Sequence, residues 1–275
     1  MKKVWFVTGA SRGMGAEIAN AVLQARHCIV ATARRKESLA NLPRNENLLC
    51  LDLDVTDEEQ ACSAARHAVD HFGRIDVLVN NAGYGLLGAI EETSSKEAKA
   101  IFNTNVFGLL NVTRAVLPFM RKQRSGHIIN MSSLGGYQAS PGWGVYGSTK
   151  FAVEGITEAL YAELESLGVH AMAVEPGFFR TDFMDASSLA HAAAKIDDYN
   201  GTVGKTRSFA YENNHQQPGD PAKLATALLE LSELGEPPLR LQLGTDAVKR
   251  VKQKNAFVDA ESRRWLLLST STDLS

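Results

Sequence analysis

A serine, a tyrosine and a lysine are spaced in this chain in a way that suits acid–base chemistry on an oxygen atom. Tyr146 and Lys150 are four residues apart at the start of a long helical pattern, and Ser133 precedes them across a glycine-rich loop. Residues four apart lie within about 40° of each other around a helix, so the phenol and the ammonium project to the same side. A neighbouring cation lowers the pKa of a tyrosine, which then gives a proton to a carbonyl oxygen or takes one from an alcohol.

A second interpretation of the pair is purely structural. A tyrosine can pack in a core while a lysine at the same helix end extends its ammonium to solvent. The Tyr-x-x-x-Lys spacing alone does not separate the two interpretations, so the surrounding elements have to decide.

The N-terminal segment predicts a dinucleotide site. An apolar run over residues 4–7 leads into a glycine-rich turn, and a helical pattern follows. In a strand–turn–helix unit, glycines let the backbone approach a pyrophosphate, and the helix N-terminus supplies free N–H groups. The predicted cofactor contacts in this turn are Gly9, Ser11, Arg12, Gly13, Met14 and Gly15.

The residues after the second predicted strand, 28–32, indicate which dinucleotide binds. An acidic residue at this point would bind the ribose 2′-hydroxyl of NAD. The sequence instead has Arg34 and Arg35. With Arg12 they suit a 2′-phosphate, which guanidinium groups bind through charge-assisted hydrogen bonds. The sequence therefore predicts NADP(H), with ordinary surface arginines as the alternative.

The alternation of strands and helices predicts an α/β fold. We expect a doubly wound, mostly seven-stranded parallel sheet (Rossmann fold) with helices on both faces. Residues 1–275 are expected to form one domain, with the active residues at the carboxyl ends of the strands. The later strands are predicted at residues 48–55, 75–79, 127–131, 169–174 and 239–243.

Three further regions carry predictions. Asn105 falls in the apolar stripe of a helix, where a buried amide is either a structural bridge or part of a polar relay. Residues 178–217 mix aromatic, small and polar residues without a regular pattern. We expect a mobile lid over an apolar substrate there, with a fixed surface segment as the alternative.

A closing helix is predicted at residues 246–257. A C-terminal tail at about 258–275 is expected to pack on a neighbouring element or a partner chain through Trp265 and the leucines after it.

Composition argues against several other classes. A net charge of −2 and a pI near 6.4 give no reason to bind nucleic acid, and the basic cluster at residues 249–254 is interpreted as a solvated helix face. The 3 cysteines are unclustered and show no metal-ligand spacing. We therefore expect reduced thiols, no metal and a cytoplasmic location. No signal peptide or membrane-length apolar run is recognised, so no membrane association is expected.

Together these motifs resemble the short-chain dehydrogenase/reductase family, in its compact single-domain branch, over about residues 3–257. The family places its serine thirteen positions before its tyrosine, which selects Ser133 over Ser132. The loop Ser133-x-Gly135-Gly136 is similar to that of the 17β-hydroxysteroid and retinol dehydrogenase-like members. The matching motifs are Thr8-Gly9-x-x-x-Gly13-x-Gly15, Asn80-Asn81-Ala82-Gly83, Thr104-Asn105-Val106 and Tyr146-x-x-x-Lys150.

The resemblance implies a role for each matching residue. Asn105, Ser133, Tyr146 and Lys150 would be catalytic, with Asn105 positioning a water that returns the proton through Lys150. The implied cofactor contacts are Asp54 and Val55 at the adenine, Asn81, Ala82 and Gly83 after the fourth strand, Pro176, Gly177 and Thr181 at the nicotinamide carboxamide, and Tyr146 and Lys150 themselves.

The expected function is an NADPH-dependent reductase, reversibly a dehydrogenase, that interconverts a ketone or aldehyde and an alcohol on an apolar small molecule. We expect a homodimer or homotetramer. The alternatives are a regulatory or scaffold protein that binds NADP(H) without turnover, and an NADP-dependent epimerase that uses the same residues.

Overall fold

The computed structural model of the protein describes residues 2–274. The strands are β1 (Val4–Val7), β2 (Cys28–Ala33), β3 (Leu48–Asp52), β4 (Val77–Asn80), β5 (Gly85–Leu87), β6 (Gly126–Met131), β7 (Val169–Pro176), β8 (Leu189–His191) and β9 (Arg240–Leu243). The helices are α1 (Gly13–Gln24), α2 (Glu58–Phe72), α3 (Ser95–Phe102), α4 (Leu109–Gln123), α5 (Gly144–Leu164), α6 (Lys205–Glu212), α7 (Pro221–Glu233) and α8 (Thr245–Thr270).

Seven of the strands form one sheet in the order β3-β2-β1-β4-β6-β7-β9, and all of its pairings are parallel. The predicted seven-stranded, doubly wound fold is therefore confirmed. The short strands β5 and β8 form a separate parallel pair with Gly85 opposite Leu189, which the sequence did not predict.

Helices cover the sheet on both faces because neighbouring residues of a strand point to opposite sides. In β1, Trp5 packs into the apolar layer that α1 and α7 cover, whereas Phe6 packs into the layer under α2, α4 and α5. Both side chains are fully buried. This two-sided burial holds the strand ends rigidly in place, and the functional residues follow those ends.

The lid segment, defined here as residues 178–217, has more regular structure than its sequence pattern predicts. It contains β8, α6 and short helical turns over Asp182–Met184 and Asp197–Tyr199. Pairing between β8 and β5 ties the segment to the chain after β4. The predicted mobility of this segment stays a prediction.

The prediction for the C-terminal region was wrong in one respect. The helix expected to end at residue 257 continues to Thr270 as α8, so the predicted tail is mostly the second half of this helix. The reason is local, because residues 245–270 contain neither glycine nor proline to stop the helix. Its second half exposes Trp265 and Leu266–Leu268. No helix within residues 2–274 combines the length and apolar character of a membrane span.

Candidate active site

A cavity of about 1100 Å³ lies along the carboxyl ends of the strands. Most of the predicted site residues line it: Gly9, Ser11, Arg12, Gly13, Met14, Arg34, Asp54, Val55, Asn81, Ala82, Gly83, Ser133, Tyr146, Lys150, Pro176, Gly177 and Thr181. Three predicted residues, Gly15, Arg35 and Asn105, are not part of the wall.

The glycine turn between β1 and α1 has little space for side chains. Gly9 has φ +65°, a conformation that favours glycine. A Cβ on Gly15 would lie 2.2 Å from the Gly9 carbonyl oxygen, so Gly15 shapes the turn from behind the wall. Asn81 braces the turn by donating hydrogen bonds from Nδ2 to the carbonyls of Thr8 and Gly9, both at 3.0 Å. The sequence prediction did not include Thr8, whose hydroxyl accepts from the N–H groups of Asn81 and Ala82.

The three arginines predicted to hold a 2′-phosphate lie in different environments. Arg34 is exposed, lines the cavity just after β2, and its side chain makes no hydrogen bond to residues 2–274. Arg35 is exposed outside the cavity. Arg12 reaches across to the lid segment, where Nε donates to Ser188 Oγ at 3.1 Å and Nη2 donates to the Ser187 carbonyl. Of the two adjacent arginines, Arg34 is therefore the one placed to meet a ligand.

Asp54 and Val55 form the next part of this wall. Asp54 Oδ1 accepts from the N–H and the hydroxyl of Thr56 at 2.9 and 2.7 Å, which fixes the carboxylate within its own loop. The Val55 carbonyl accepts from Asn111 Nδ2 at 3.0 Å. These bonds hold the loop after β3 beside the cavity.

Ser133 and Tyr146 come together on either side of Gly135. A Cβ on Gly135 would lie 3.5 Å from Ser133 Oγ and 3.6 Å from the Tyr146 ring. Ser133 Oγ accepts from the Gly135 N–H at 3.0 Å and keeps its own proton to donate. The Ser132 hydroxyl is buried, has no hydrogen-bond partner in the described part of the chain, and packs against Gly136. The structure thus places Ser133, as the spacing predicts, beside the tyrosine.

Burial shifts both titratable groups of the pair toward their neutral forms. It raises the pKa of Tyr146 to about 12, and the neighbouring Ser133 hydroxyl acts weakly in the opposite direction. Burial lowers the pKa of Lys150 to about 8, partly offset by the carboxylate of Glu154. The expected lowering of the tyrosine pKa by the lysine is not seen, because desolvation outweighs the distant cation.

Lys150 is held by backbone rather than by the phenol. Its Nζ donates to the Met131 carbonyl at 2.8 Å and lies 5.9 Å from the centre of the Tyr146 ring. Glu154, one turn later on α5, pairs with Arg240 of β9 at 2.9 Å. The ammonium therefore lies at the end of β6, on the cavity wall, and the Glu154–Arg240 ion pair begins one helical turn away.

Asn105 lies in a π-helical segment, Asn103–Gly108, that joins α3 to α4. Its Nδ2 donates to the Tyr84 carbonyl at 3.0 Å and to Thr149 Oγ1 at 3.2 Å, while Oδ1 accepts from the Tyr84 N–H at 3.1 Å. Of the two roles left open for this buried amide, these bonds make it a structural bridge from the end of β4 to α5. A water relay through Asn105 stays a prediction.

The far wall of the cavity is formed after β7. The Gly177 N–H donates to the Leu243 carbonyl at 2.8 Å, which extends the sheet by one bond. Thr181 packs over Gly13, and its hydroxyl accepts from the Phe183 N–H at 3.3 Å. Pro176 closes β7 beside them.

Sequence reasoning missed several residues of the substrate side. Trp143 stands edge-on to Tyr146 at 5.6 Å between ring centres and stacks near Phe183 at 6.3 Å. Arg250 and Gln217 also line the cavity. Arg250 belongs to the basic cluster interpreted as solvated, and the available signal was its place beside Ala247 and Val251 on one face of the helix.

A small acidic cluster lies on the lid segment. Ligand atoms of Asp182, Asp185 and His215 are within 4.8 Å of one another. His215 pairs with Asp185 at 3.3 Å, and Asn214 also donates to Asp185. Both bonds go to Asp185, and the expectation of no metal stays a prediction.

The geometry of the glycine turn and of the Ser133, Tyr146 and Lys150 group agrees with a family model described as short chain dehydrogenase, which matches residues 3–191. The chain belongs to the short-chain dehydrogenase family. It is therefore an oxidoreductase, as the sequence motifs predict.

Two curated relatives illustrate the range of this short-chain dehydrogenase family. "Oxidoreductase BOA17" of Botryotinia fuckeliana is 38% identical over 275 residues, which cover 99% of this chain and 100% of the relative. "3-ketodihydrosphingosine reductase" of Bacteroides thetaiotaomicron is 35% identical over 243 residues, 88% of each chain.

Solved structures agree with the fold. A short-chain dehydrogenase from Streptomyces avermitilis superimposes with a TM-score of 0.92 at 40% identity over the full length of both chains. The structure of ElxO with NADP bound has a TM-score of 0.75 at 28% identity and covers 90% of this chain and 100% of that one.

The residues of this dehydrogenase fit a nicotinamide dinucleotide. Gly9, Ser11 and Gly13 of the glycine turn line the cavity, and α1 begins at Gly13 with its N-terminus on that wall. The Arg34 guanidinium stands without a protein partner among residues 2–274. Gly9, Asn81, Arg34 and Lys150 would hold the cofactor along one wall.

Proposed function

We propose that this oxidoreductase is an NADPH-dependent carbonyl reductase, reversibly an alcohol dehydrogenase, for small molecules that are largely apolar. The observation that carries the proposal is that Ser133, Tyr146 and Lys150 meet on the wall of the cavity that contains the glycine turn. Tyr146 and Lys150 are 7% and 8% exposed. Burying a phenol and an ammonium is unfavourable in free energy. A pair with only a packing role would not require both groups to be buried.

The chain's own groups divide the proton chemistry among them. When bound, the cofactor supplies hydride for reduction or accepts it for oxidation. Tyr146 donates its phenolic proton to the substrate oxygen, and the Ser133 hydroxyl donates a hydrogen bond to the same oxygen as negative charge develops. Lys150 stabilises the phenolate that remains, because an ammonium in a low-dielectric site acts over several ångströms.

The apolar character of the substrate follows from the wall beside Tyr146. Trp143, Phe183 and Leu189 form this wall together with Met184. Aromatic rings of this kind each bury about 150–250 Å², so an aromatic or aliphatic body next to the carbonyl is favoured.

The preference for NADPH is supported by Arg34, which lies at the end of β2 where NAD-using enzymes have an acid. One or two charge-assisted hydrogen bonds to a 2′-phosphate contribute about 1.5–3 kcal/mol each. A regulatory protein that binds NADP(H) without turnover would have no use for a serine hydroxyl placed beside the buried Tyr146, so catalysis is the better explanation of this site.

The proposal is tested by turnover. Purified protein is incubated with NADPH and a panel of aryl ketones, aliphatic aldehydes and steroid ketones, and both NADPH consumption and alcohol formation are measured. We expect at least one carbonyl to give one alcohol for each NADPH consumed. If the protein binds NADPH but consumes it no faster than its Tyr146→Phe variant with every carbonyl, the non-catalytic alternative is correct.

A further inference from the structure

Arg250 is a cation on the wall of the active-site cavity for which the described chain supplies no counter-charge. It lies on α8, is half-buried, and lines the cavity together with Tyr146. Its Nη1 donates to Ser140 Oγ at 2.7 Å. No carboxylate of residues 2–274 lies within 4.0 Å of it, although Asp246 stands one helical turn away. Asp246 is already engaged, because its Oδ2 accepts from the Phe178 N–H at 2.8 Å.

The position of Arg250 separates it from the cofactor phosphates. The adenosine side of the cavity follows β2 and β3, at one edge of the sheet, whereas α8 follows β9 at the opposite edge. Ser140, the partner of Arg250, belongs to the loop between Ser133 and Tyr146. Arg250 therefore lies on the substrate side of the cavity, next to the loop that joins Ser133 to Tyr146.

A second, independent feature lies in the lining of the same cavity. Gln217 is only 3% exposed and lines the cavity, yet neither Nε2 nor Oε1 has a hydrogen-bond partner among residues 2–274. An amide buried in this way costs free energy unless a ligand satisfies it. Phe178 connects the two residues, since its N–H donates to Asp246 on α8 and its carbonyl accepts from Gly219, two residues after Gln217.

We infer that the substrate of this enzyme carries a carboxylate, which Arg250 binds through its guanidinium and Gln217 binds through its amide N–H. A planar guanidinium donates two parallel hydrogen bonds to the two oxygens of a carboxylate, and an amide N–H can donate to a lone pair that remains. With the apolar wall of Trp143 and Phe183 near Tyr146, the substrate class is an oxo acid with an apolar body between the carbonyl and the carboxylate.

The acidic groups of the cavity do not oppose this assignment. Asp54 lies on the adenosine side, after β3, and its Oδ1 is bonded to Thr56. Asp182 clusters with Asp185 and His215 on the lid segment. Lys205 of α6 adds a further positive charge to the lining.

This inference rests on the proposed function, because only an enzyme has a substrate. Its test therefore uses ligands that have no reacting carbonyl. Binding of octanoate and of octan-1-ol to the NADP⁺-loaded, full-length protein is measured by calorimetry. The variants are Arg250→Gln, Gln217→Leu and the control Lys249→Gln, which removes an exposed charge from the same helix. Melting temperature and NADP⁺ affinity identify any variant that fails to fold.

We expect octanoate to bind the parent at least about tenfold more tightly than octan-1-ol, the effect of one charge-assisted bond. Arg250→Gln and Gln217→Leu should each remove most of this difference, whereas Lys249→Gln should keep it. If octanoate binds the parent no better than octan-1-ol, or binds Arg250→Gln as well as the parent, the inference is wrong. A protein that binds octanoate as described but reduces no carbonyl would refute the proposed function alone.

Discussion

At the scale of single residues, burial is the main physical influence on this site. It keeps the Tyr146 phenol protonated, with a pKa of about 12, and brings the Lys150 ammonium close to losing its proton, with a pKa of about 8. A protonated phenol beside a charged ammonium is the state that reduction needs. The two pKa values therefore assign different roles: Tyr146 donates the proton, and Lys150 sets the pH range in which reduction is fast.

The first prediction concerns the pH dependence of reduction. The pKa of Lys150 is lowered from 10.5 to about 8, so the lysine is charged below about pH 8 and neutral above it. Because the charged form stabilises the phenolate, kcat for reduction should fall as pH rises through about 8. Tyr146 stays protonated over this range.

The control for this pH profile is Lys150→Arg, whose guanidinium stays charged up to about pH 12. Its rate is expected to be lower but nearly constant between about pH 7 and about pH 10. An unchanged inflection in the Arg variant would show that another group causes it.

Cofactor choice is the second prediction at this scale. Arg34→Asp should remove the bond to the 2′-phosphate and add repulsion, so the ratio of kcat/KM for NADPH to that for NADH should fall by about tenfold or more. Arg35→Asp is the matched control, because Arg35 is exposed outside the cavity. Steady-state kinetics with both cofactors compare the three proteins. Equal use of NADH and NADPH by the parent would contradict the proposed role of Arg34.

At the scale of elements, side chains outside the lid segment hold its first and second parts differently, in addition to the pairing of β8 with β5. Its first part is held to the glycine turn through Arg12, which bonds Ser187 and Ser188. Its second part is held by the buried carboxylate of Glu92, which accepts from the N–H of Ile196 at 2.9 Å and pairs with Arg207. We therefore expect cofactor binding to reduce the mobility of the first part. Loss of the Glu92 charge should increase the mobility of the second part.

Glu92→Gln tests this division by proteolysis. Without the charge on residue 92, Arg207 is left partly buried without its counter-ion, and trypsin should cleave after Lys195 and Lys205 at least about tenfold faster. Glu91→Gln is the control, since within residues 2–274 the Glu91 carboxylate accepts only from the Tyr199 hydroxyl at the surface. NADP⁺ with a substrate analogue should slow hydrogen exchange around residues 183–190. Equal exchange with and without ligands would mean that the lid is a fixed wall.

The elements also show what the sequence was able to predict. Strand–turn–helix periodicity was enough for the sheet, because it is a local pattern. The choice of Ser133 as the neighbour of Tyr146 came from the thirteen-residue spacing that the family resemblance implies. The contacts of Arg250 and Gln217 depend on how α8 and the lid segment pack on the loop before Tyr146, which no local pattern encodes. Helix α8 was predicted to end at residue 257 but continues to Thr270, since residues 245–270 contain neither glycine nor proline to stop it.

At the scale of the whole molecule, one apolar surface has no cover within residues 2–274. The second half of α8 exposes Trp265 by 50% and Leu267 by 88%. Such a row on one helix is unfavourable in water, and the sequence predicts that it packs on a neighbouring element or a partner chain. We therefore propose that copies of this protein associate as a homodimer or homotetramer through it.

Removal of residues 258–275 tests this proposal. Light scattering of the parent should give the mass of a homodimer or homotetramer, and the truncated protein should have a lower mass with NADP⁺ affinity retained. Substituting Lys252 and Lys254 with Gln, on the same helix, serves as a control and should leave the mass unchanged. A monomeric parent would contradict the proposal.

The central claim is that Tyr146 is the proton donor, and Tyr146→Phe tests it most directly. The substitution removes one hydroxyl and keeps the ring that packs against Trp143 and Phe183. We expect NADPH affinity within about twofold of the parent and turnover lower by about 10²–10⁴-fold, the usual contribution of a general acid. Ser133→Ala should also be severe, and Ser132→Ala, at the buried neighbour, should be mild. A Tyr146→Phe protein that keeps more than about half of the parent rate would contradict the mechanism.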